Sequence, residues 1–388
     1  MRPIKIYLDS SDFSKLSDLS KQSPEYAQVR DYLVRQRNEG VINMYFSEVH
    51  VLEAAPISPS AIPAAIGRLR TIKELCGKNC VTHPIDVCRN ELSEENSLDS
   101  VSVVRSDGTW IPSSFDVSEI VPNVEQIIMA ELENLSRAAR RKYSKSGKPT
   151  SHAYTELTQL YNGDIAELAK KLPLSIDAAR VFERYMLGKA SRNDALKAVQ
   201  DSVTDLVIFG HWHEREWSAA SDLLKHVRKS GENFKSTLLE ARRQFDHLIT
   251  PDSGLGSTLK KSLPSPSQVT KKVMDARIGK IATEVAHSMG IVPRSMIDPW
   301  QVAPGTSCSI RLAIQVGHRS VLHSPPRAPS HSDFPDIYQA IYLPYVDIFR
   351  ADRFMASQLS ECNLPFSTAI AENFLQLPLK IREVLEAR

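Results

Sequence analysis

The sequence predicts an α/β protein whose parallel sheet is assembled from both ends of the chain, with a mostly α-helical insertion between them. Three observations predict it. Strand-like and helix-like runs alternate over roughly the first sixty residues, with connections long enough for parallel crossovers. The tract from about Ser118 to Leu248 repeats apolar residues at spacings of three and four, the period of a helix. The C-terminal stretch returns to a helix–strand–helix order and supplies the part that the front sheet lacks. The expected organisation is 1–90 for the front of the α/β domain, 91–290 for the insertion and 291–388 for the back.

Taken in order, "PIKIYL" is a strand with both faces largely apolar, as in a buried parallel strand. Ser10, Ser11 and Asp12 are good helix caps and start a helix. "PEYAQVRDYLVRQRNEG" is an amphipathic helix stopped by Gly40. "VINMYF" is the second strand, and Ser47 caps the helix after it. A helix over roughly Ser60 to Leu75 leads to a short strand at "CVTH". The Ser-rich stretch from Glu91 reads as an irregular excursion with a small hairpin turning at Asp107-Gly108. Helices resume at "VTKKVMDARIGKIATEVAHSMG" and "SCSIRLAIQVGHR". The chain then runs through a helix at "DIYQAIYL", a strand at "YVDIF" and a helix at "ADRFMASQL".

Bulk properties narrow the class. The 388 residues can bury a large core. A formal net charge of +2 makes the whole molecule no polycation, so any nucleic-acid footprint must come from local clusters. No run approaches the ~20 apolar residues of a membrane helix, and "MRPIKIYLDS" reads as a strand rather than a leader. Five cysteines fit a reducing compartment better than a disulfide framework. A cytoplasmic protein without a membrane partner is expected.

Carboxylates recur at strand tips and helix starts. Asp9 ends the first strand, and Glu53 lies six residues beyond Ser47, with Glu48 as the nearby alternative. Asp333 and Asp336 share one face at the start of "DIYQAIYL", and Asp352 follows "YVDIF". If the strands pair in parallel, all of these fall outside the carboxyl ends of the sheet, where α/β folds gather ligands. Crowded carboxylates repel one another. Helix N-termini offset this by only ~0.3–1 kcal/mol each, so the pattern calls for a hard divalent cation, Mg²⁺ or Mn²⁺.

The stretches "IYLDSSDF", "MYFSEVHVLEAA" and "SDFPDIYQAIYLPYVDIFRADRFM" resemble the successive motifs of the PIN-domain nuclease superfamily. The resemblance covers roughly residues 3–75 and 305–388. It implies a Rossmann-like parallel sheet and a metal-dependent endoribonuclease that hydrolyses phosphodiester bonds with metal-activated water. On the matching positions it implies Asp9, Glu53, Asp336 and Asp352 as catalytic and metal-binding residues, with Asp333 a substitute for or companion to Asp336. It further implies RNA, less often DNA, as substrate and a role as a toxin or phage-defence effector; a protein regulator or antitoxin as partner and a homo-oligomer are further expectations. The family often has Thr or Ser where this chain has Arg350, which could bind a substrate phosphate. The rival expectation is a non-catalytic PIN-like module that binds RNA or a protein.

The densest basic run, Arg137, Arg140, Arg141, Lys142, Lys145 and Lys148, could track a phosphate backbone. Lys225, Arg228, Lys229, Lys260 and Lys261 are weaker versions of the same idea. The Cys76, Cys80, His83 and Cys88 spacing departs from paired zinc motifs and fits core cysteines. His211 and His213 are two apart on a helix and point to different sides. "KSGKPT" lacks the upstream Gly and the final hydroxyl of a P-loop.

Overall fold

A computed structural model describes residues 2–18, 23–95, 102–113, 132–133, 135–146, 148–153, 155–156, 172–186, 189–248, 264–323 and 325–388. Strand β1 (Ile4–Tyr7) leads through helices α1 (Ser10–Ser17) and α2 (Pro24–Asn38) to β2 (Ile42–Tyr45). Gly40, with φ of +72°, reverses the chain between α2 and β2 in a conformation that favours glycine. Helices α3 (Glu48–Glu53) and α4 (Ile62–Cys76) follow, then β3 (Cys80–Val81), α5 (Pro84–Leu92) and β4 (Val104–Arg105).

The middle of the chain carries α6 (Arg137–Tyr143), a small hairpin of β5 (Ser144–Lys145) and β6 (Lys148–Pro149), and helices α7 (Ile176–Met186), α8 (Arg192–Thr204), α9 (Leu206–Arg215), α10 (Trp217–Leu248) and α11 (Lys271–Ser288). The helical tract is thus cut into pieces. Asp205 ends α8 and caps α9, its Oδ1 accepting from Val207 N at 2.8 Å. Much of "VEQIIMAELENLSRAARRKY" lies outside the described residues. The back consists of α12 (Pro304–Val321), α13 (Asp333–Gln339), β7 (Ile348–Arg350), α14 (Arg353–Glu361), β8 (Ala369–Ala371) and α15 (Leu377–Glu386).

Both chain ends build one four-stranded, all-parallel sheet in the order β2-β1-β7-β8. Ile4 is level with Ile42, Ile6 with Ile348, and Ile348 with Ala369. The sequence signal is plain at β1, where Ile4, Ile6, Tyr7 and Leu8 are all fully buried. Ile4, Ile6 and Leu8 pack with Leu33, Leu69 and Ile72 from α2 and α4. Tyr7 points to the opposite face, among Leu312, Tyr342 and Leu359. Helices therefore cover both faces, which is why the strand does not alternate with polar residues.

Two local expectations are corrected. Asp9, not one of the next three residues, caps α1, because its carboxylate reaches Ser11 N at 2.7 Å. Val104–Arg105 pairs antiparallel with Cys80–Val81 rather than in a local hairpin, since β3 already joins the β2 edge through Val81 N to Phe46 O at 2.8 Å. The middle helices share the core of the sheet. Phe209 and Trp212 of α9 belong to the cluster of Ile4 and Leu69, and α10 packs on α3, α12 and α13.

Candidate active site

The switch point of the sheet lies at its centre. From β1 the chain builds outward to β2 on one side, and β7 later enters on the other, so the carboxyl ends of β2, β1 and β7 open side by side. Asp9 stands two residues past β1 and Asp352 two residues past β7. Both cap the following helix, Asp352 through Oδ1 to Met355 N at 2.7 Å. Glu53 closes α3, and Asp336 lies within α13. Each cap uses one carboxylate oxygen and leaves the other for a ligand.

Two of these acids, Asp336 and Glu53, feel the charges of the others. Burial pushes the Asp336 carboxyl well above the usual range, and the charges of Asp9, Asp352, Glu53 and Asp333 add to the rise. Burial likewise pushes Glu53 up. The Ser10 hydroxyl beside it counteracts this, short of a well-formed hydrogen bond, and Asp9 reinforces it while Arg68 and Arg228 oppose it. The buried Tyr7 hydroxyl is raised by burial and then by Glu53, Asp9 and Asp336, in part against its bond to Ser47. Side chains from residues 9, 53, 336 and 352 therefore share one electrostatic environment. Glu48 is committed elsewhere, with Oε2 2.5 Å from His83 Nε2, and this favours Glu53 as the acid of the second motif.

Two other expected residues are occupied. Asp333 is 1% exposed and held by both arms of Arg327 at 2.6 and 2.8 Å and by Ser330 N at 2.9 Å. It anchors the start of α13 instead of opening toward a ligand. Arg350 was expected to meet a substrate phosphate, and here the reading is corrected. Its side chain is buried, with Nη2 3.0 Å from Asp12 Oδ1 and Nη1 donating to the Ala351 carbonyl. It ties the tip of β7 to the first turn of α1 beneath Asp9. Burial raises Asp12 to about 7 against the pull of Arg350.

A polar brace under the cleft was not foreseen. Tyr7 Oη sits 2.7 Å from Ser47 Oγ and donates to Gln339 Oε1 at 3.0 Å, joining β1, α3 and α13. His50 Nδ1 accepts from Ser47 N at 3.0 Å, so Nε2 carries the proton donated to the Leu8 carbonyl, also at 3.0 Å. Burial lowers His50 to about 4 and keeps it neutral. The available signals were a Tyr beside the isoleucines of a largely apolar strand and a His three residues after a Ser cap.

The basic run from Arg137 to Lys145 is exposed. Arg140 donates to the Glu133 carbonyl at 2.9 Å, and Lys142 lies 3.4 Å from Glu156. Of the weaker candidates among the described residues, Arg228 lines the cleft, and Lys260 and Lys261 lie outside those residues. Cys76 and Cys80 are core residues, and Cys88 Sγ accepts from Thr306 Oγ1 at 3.6 Å. His213 is buried beside Phe209 and Trp212, whereas His211 faces Glu214. Among the described residues no helix is long and apolar enough to cross a membrane.

The donor set suits a hard cation: carboxylates only, two of them raised by burial and mutual repulsion. Among the described residues no three His, Cys, Asp or Glu side chains already close on a common point. Of the four acids Glu53 lines the cavity, and the charges of Asp9, Asp352 and Glu53 act on Asp336. No family model, curated protein or solved structure matches this chain.

Proposed function

We propose that this chain is a metal-dependent endoribonuclease, with Asp9, Glu53, Asp336 and Asp352 holding Mg²⁺ or Mn²⁺ at the tips of β1, β2 and β7. One observation carries the reading. Burial and then the charges of Asp9, Asp352 and Glu53 raise Asp336, and burial and Asp9 raise Glu53, so acids from four distant stretches come together near the switch point of a parallel sheet. A structural role does not account for that, because like charges gathered beside a core cost stability unless a ligand uses them.

When bound, the cation supplies Lewis-acid polarisation of a phosphoryl oxygen and activation of water. The protein supplies position. Helix caps fix the rotamers of Asp9 and Asp352. The brace of Tyr7, Ser47, His50 and Gln339 holds β1, α3 and α13 at fixed separation. Burial, and then the charges of the neighbouring acids, favour the protonated form of the Asp336 carboxyl, a preference that a cation held there would oppose. No covalent nucleophile is required.

The test is incubation of labelled RNA and DNA oligonucleotides with and without Mn²⁺, using the native chain, Asp9→Asn and Asp336→Asn. The expected result is Mn²⁺-dependent cleavage of RNA leaving 5′-phosphate and 3′-hydroxyl ends, reduced about 100-fold or more in each variant. Absence of cleavage by the native chain, or full activity in both variants, overturns the reading. RNA binding without cleavage would point to the non-catalytic module.

A further inference from the structure

The cleft has a cationic wall that the α/β elements do not build alone. A cavity of about 280 Å³ opens beside Glu53, lined by Ser10, Ser14, Arg68, Arg228 and His331 among others. Arg68 comes from α4 and is half-buried. Its Nη2 donates to the Ala54 carbonyl at 3.1 Å, and its Nε is buried with no partner among the described residues. Arg228 comes from α10, in the helical middle of the chain. It is exposed at the rim, and its charge acts on Glu53.

Arg228 is placed there by a backbone contact. Arg228, Gly231 and Phe234 lie on one stripe of α10 at i,i+3 spacing. The helix is pressed so closely onto the loop before α13 that a Cβ on Gly231 would stand 2.1 Å from the His331 carbonyl oxygen. One turn on, the Phe234 ring meets Phe334 with centroids 5.9 Å apart. The inserted helix thus docks beside Asp336, and its docking holds the Arg228 backbone over the cavity.

We propose that Arg228 and Arg68 form an anion subsite that holds the phosphate next to the reacting one, so that the ligand is a polynucleotide spanning at least two phosphates rather than a small phosphodiester. Guanidinium groups recognise phosphate through paired donors, and a strand approaching an acidic centre needs such compensation nearby. The proposal rests on the nuclease reading for the identity of the polymer.

The test measures affinity of a short labelled single-stranded RNA for the full chain by anisotropy in EDTA, over a series of salt concentrations. Arg228→Ala is expected to weaken binding roughly tenfold and to lower the slope of log affinity against log salt by about 0.7. Arg228→Lys, which keeps the charge, recovers part of the loss, whereas Lys229→Ala on the adjacent exposed position changes neither quantity. Equal behaviour of Arg228→Ala and Lys229→Ala overturns the subsite, as does a native chain that does not bind. The same samples in Mn²⁺ separate the two readings. Arg228-dependent binding without cleavage keeps the subsite and removes the nuclease, and cleavage with Arg228-independent binding does the reverse.

Discussion

Replacing Arg350 by Met should destabilise the fold by an amount that grows with pH. Asp12 is fully buried and Arg350 only 5% exposed, 3.0 Å apart. Asp12 is raised from 3.8 to about 7 even with its partner present. At about 1.4 kcal/mol per pH unit between the folded and unfolded values, this gap is worth about 4 kcal/mol. Because the folded value is the higher one, that stabilisation is complete below about 3.8 and is lost as the pH rises through about 7. Removing the guanidinium pushes Asp12 higher still, so the additional cost appears only where the native carboxyl ionises, above about 7. Breaking a buried pair costs about 3–5 kcal/mol, expected near pH 9. Near pH 6 only the lost packing and hydrogen bonds remain, about 1–2 kcal/mol. Urea unfolding of Arg350→Met, Asp12→Asn and the double variant at both pH values measures the coupling. A cost for Arg350→Met that is equal at the two pH values, or additive behaviour in the double variant, would refute the assignment of Arg350 to a structural pair.

Three further outcomes follow from the same geometry. His50→Ala leaves Ser47 N and the Leu8 carbonyl unpaired in the core and should cost about 1–3 kcal/mol in urea unfolding. Because the folded value of His50 is lowered to about 4, its contribution is present above the unfolded value near 6.5 and fades as pH falls toward 4, so the difference between native and variant should shrink in acid. Gly231→Val cannot keep α10 on the His331 carbonyl and should cost about 1–3 kcal/mol by thermal denaturation. Glu91→Ala removes the buried carboxylate that receives Gly305 N and Thr306 N, each at 2.8 Å, and the Tyr345 hydroxyl. It should lower stability by about 3 kcal/mol or more, and unchanged unfolding would contradict its role as the cap of α12.

Much of the framework was legible because it depends on local patterns. An apolar run ending in Asp9, a Ser cap after the second strand and an acid after "YVDIF" survive as β1, β2 and β7 with their carboxylates at one edge. The strand Ala369–Ala371 was missed, since Ala-Ile-Ala is too short to carry a period. Long-range partners were equally silent. Arg350 and Asp12 lie 338 positions apart, and nothing near either residue marks it as buried. Asp333 and Asp336 look alike in sequence, but only the structure brings Arg327 onto the first. Arg228 was visible as one charge among several on a helix. What singled it out was the docking of α10 at Gly231, for which the only trace was a glycine where a helix costs about 1 kcal/mol relative to alanine.

The most direct measurement is calorimetric titration of the metal-free chain with Mn²⁺ at several pH values, beside Asp9→Asn and Asp336→Asn. Saturable binding that tightens as pH rises and weakens at least roughly tenfold in each variant is the predicted result, because burial and like charges favour the protonated forms of Glu53 and Asp336, which compete with a cation. No saturable binding by the native chain, or binding that both variants retain in full, would contradict the shared cation pocket.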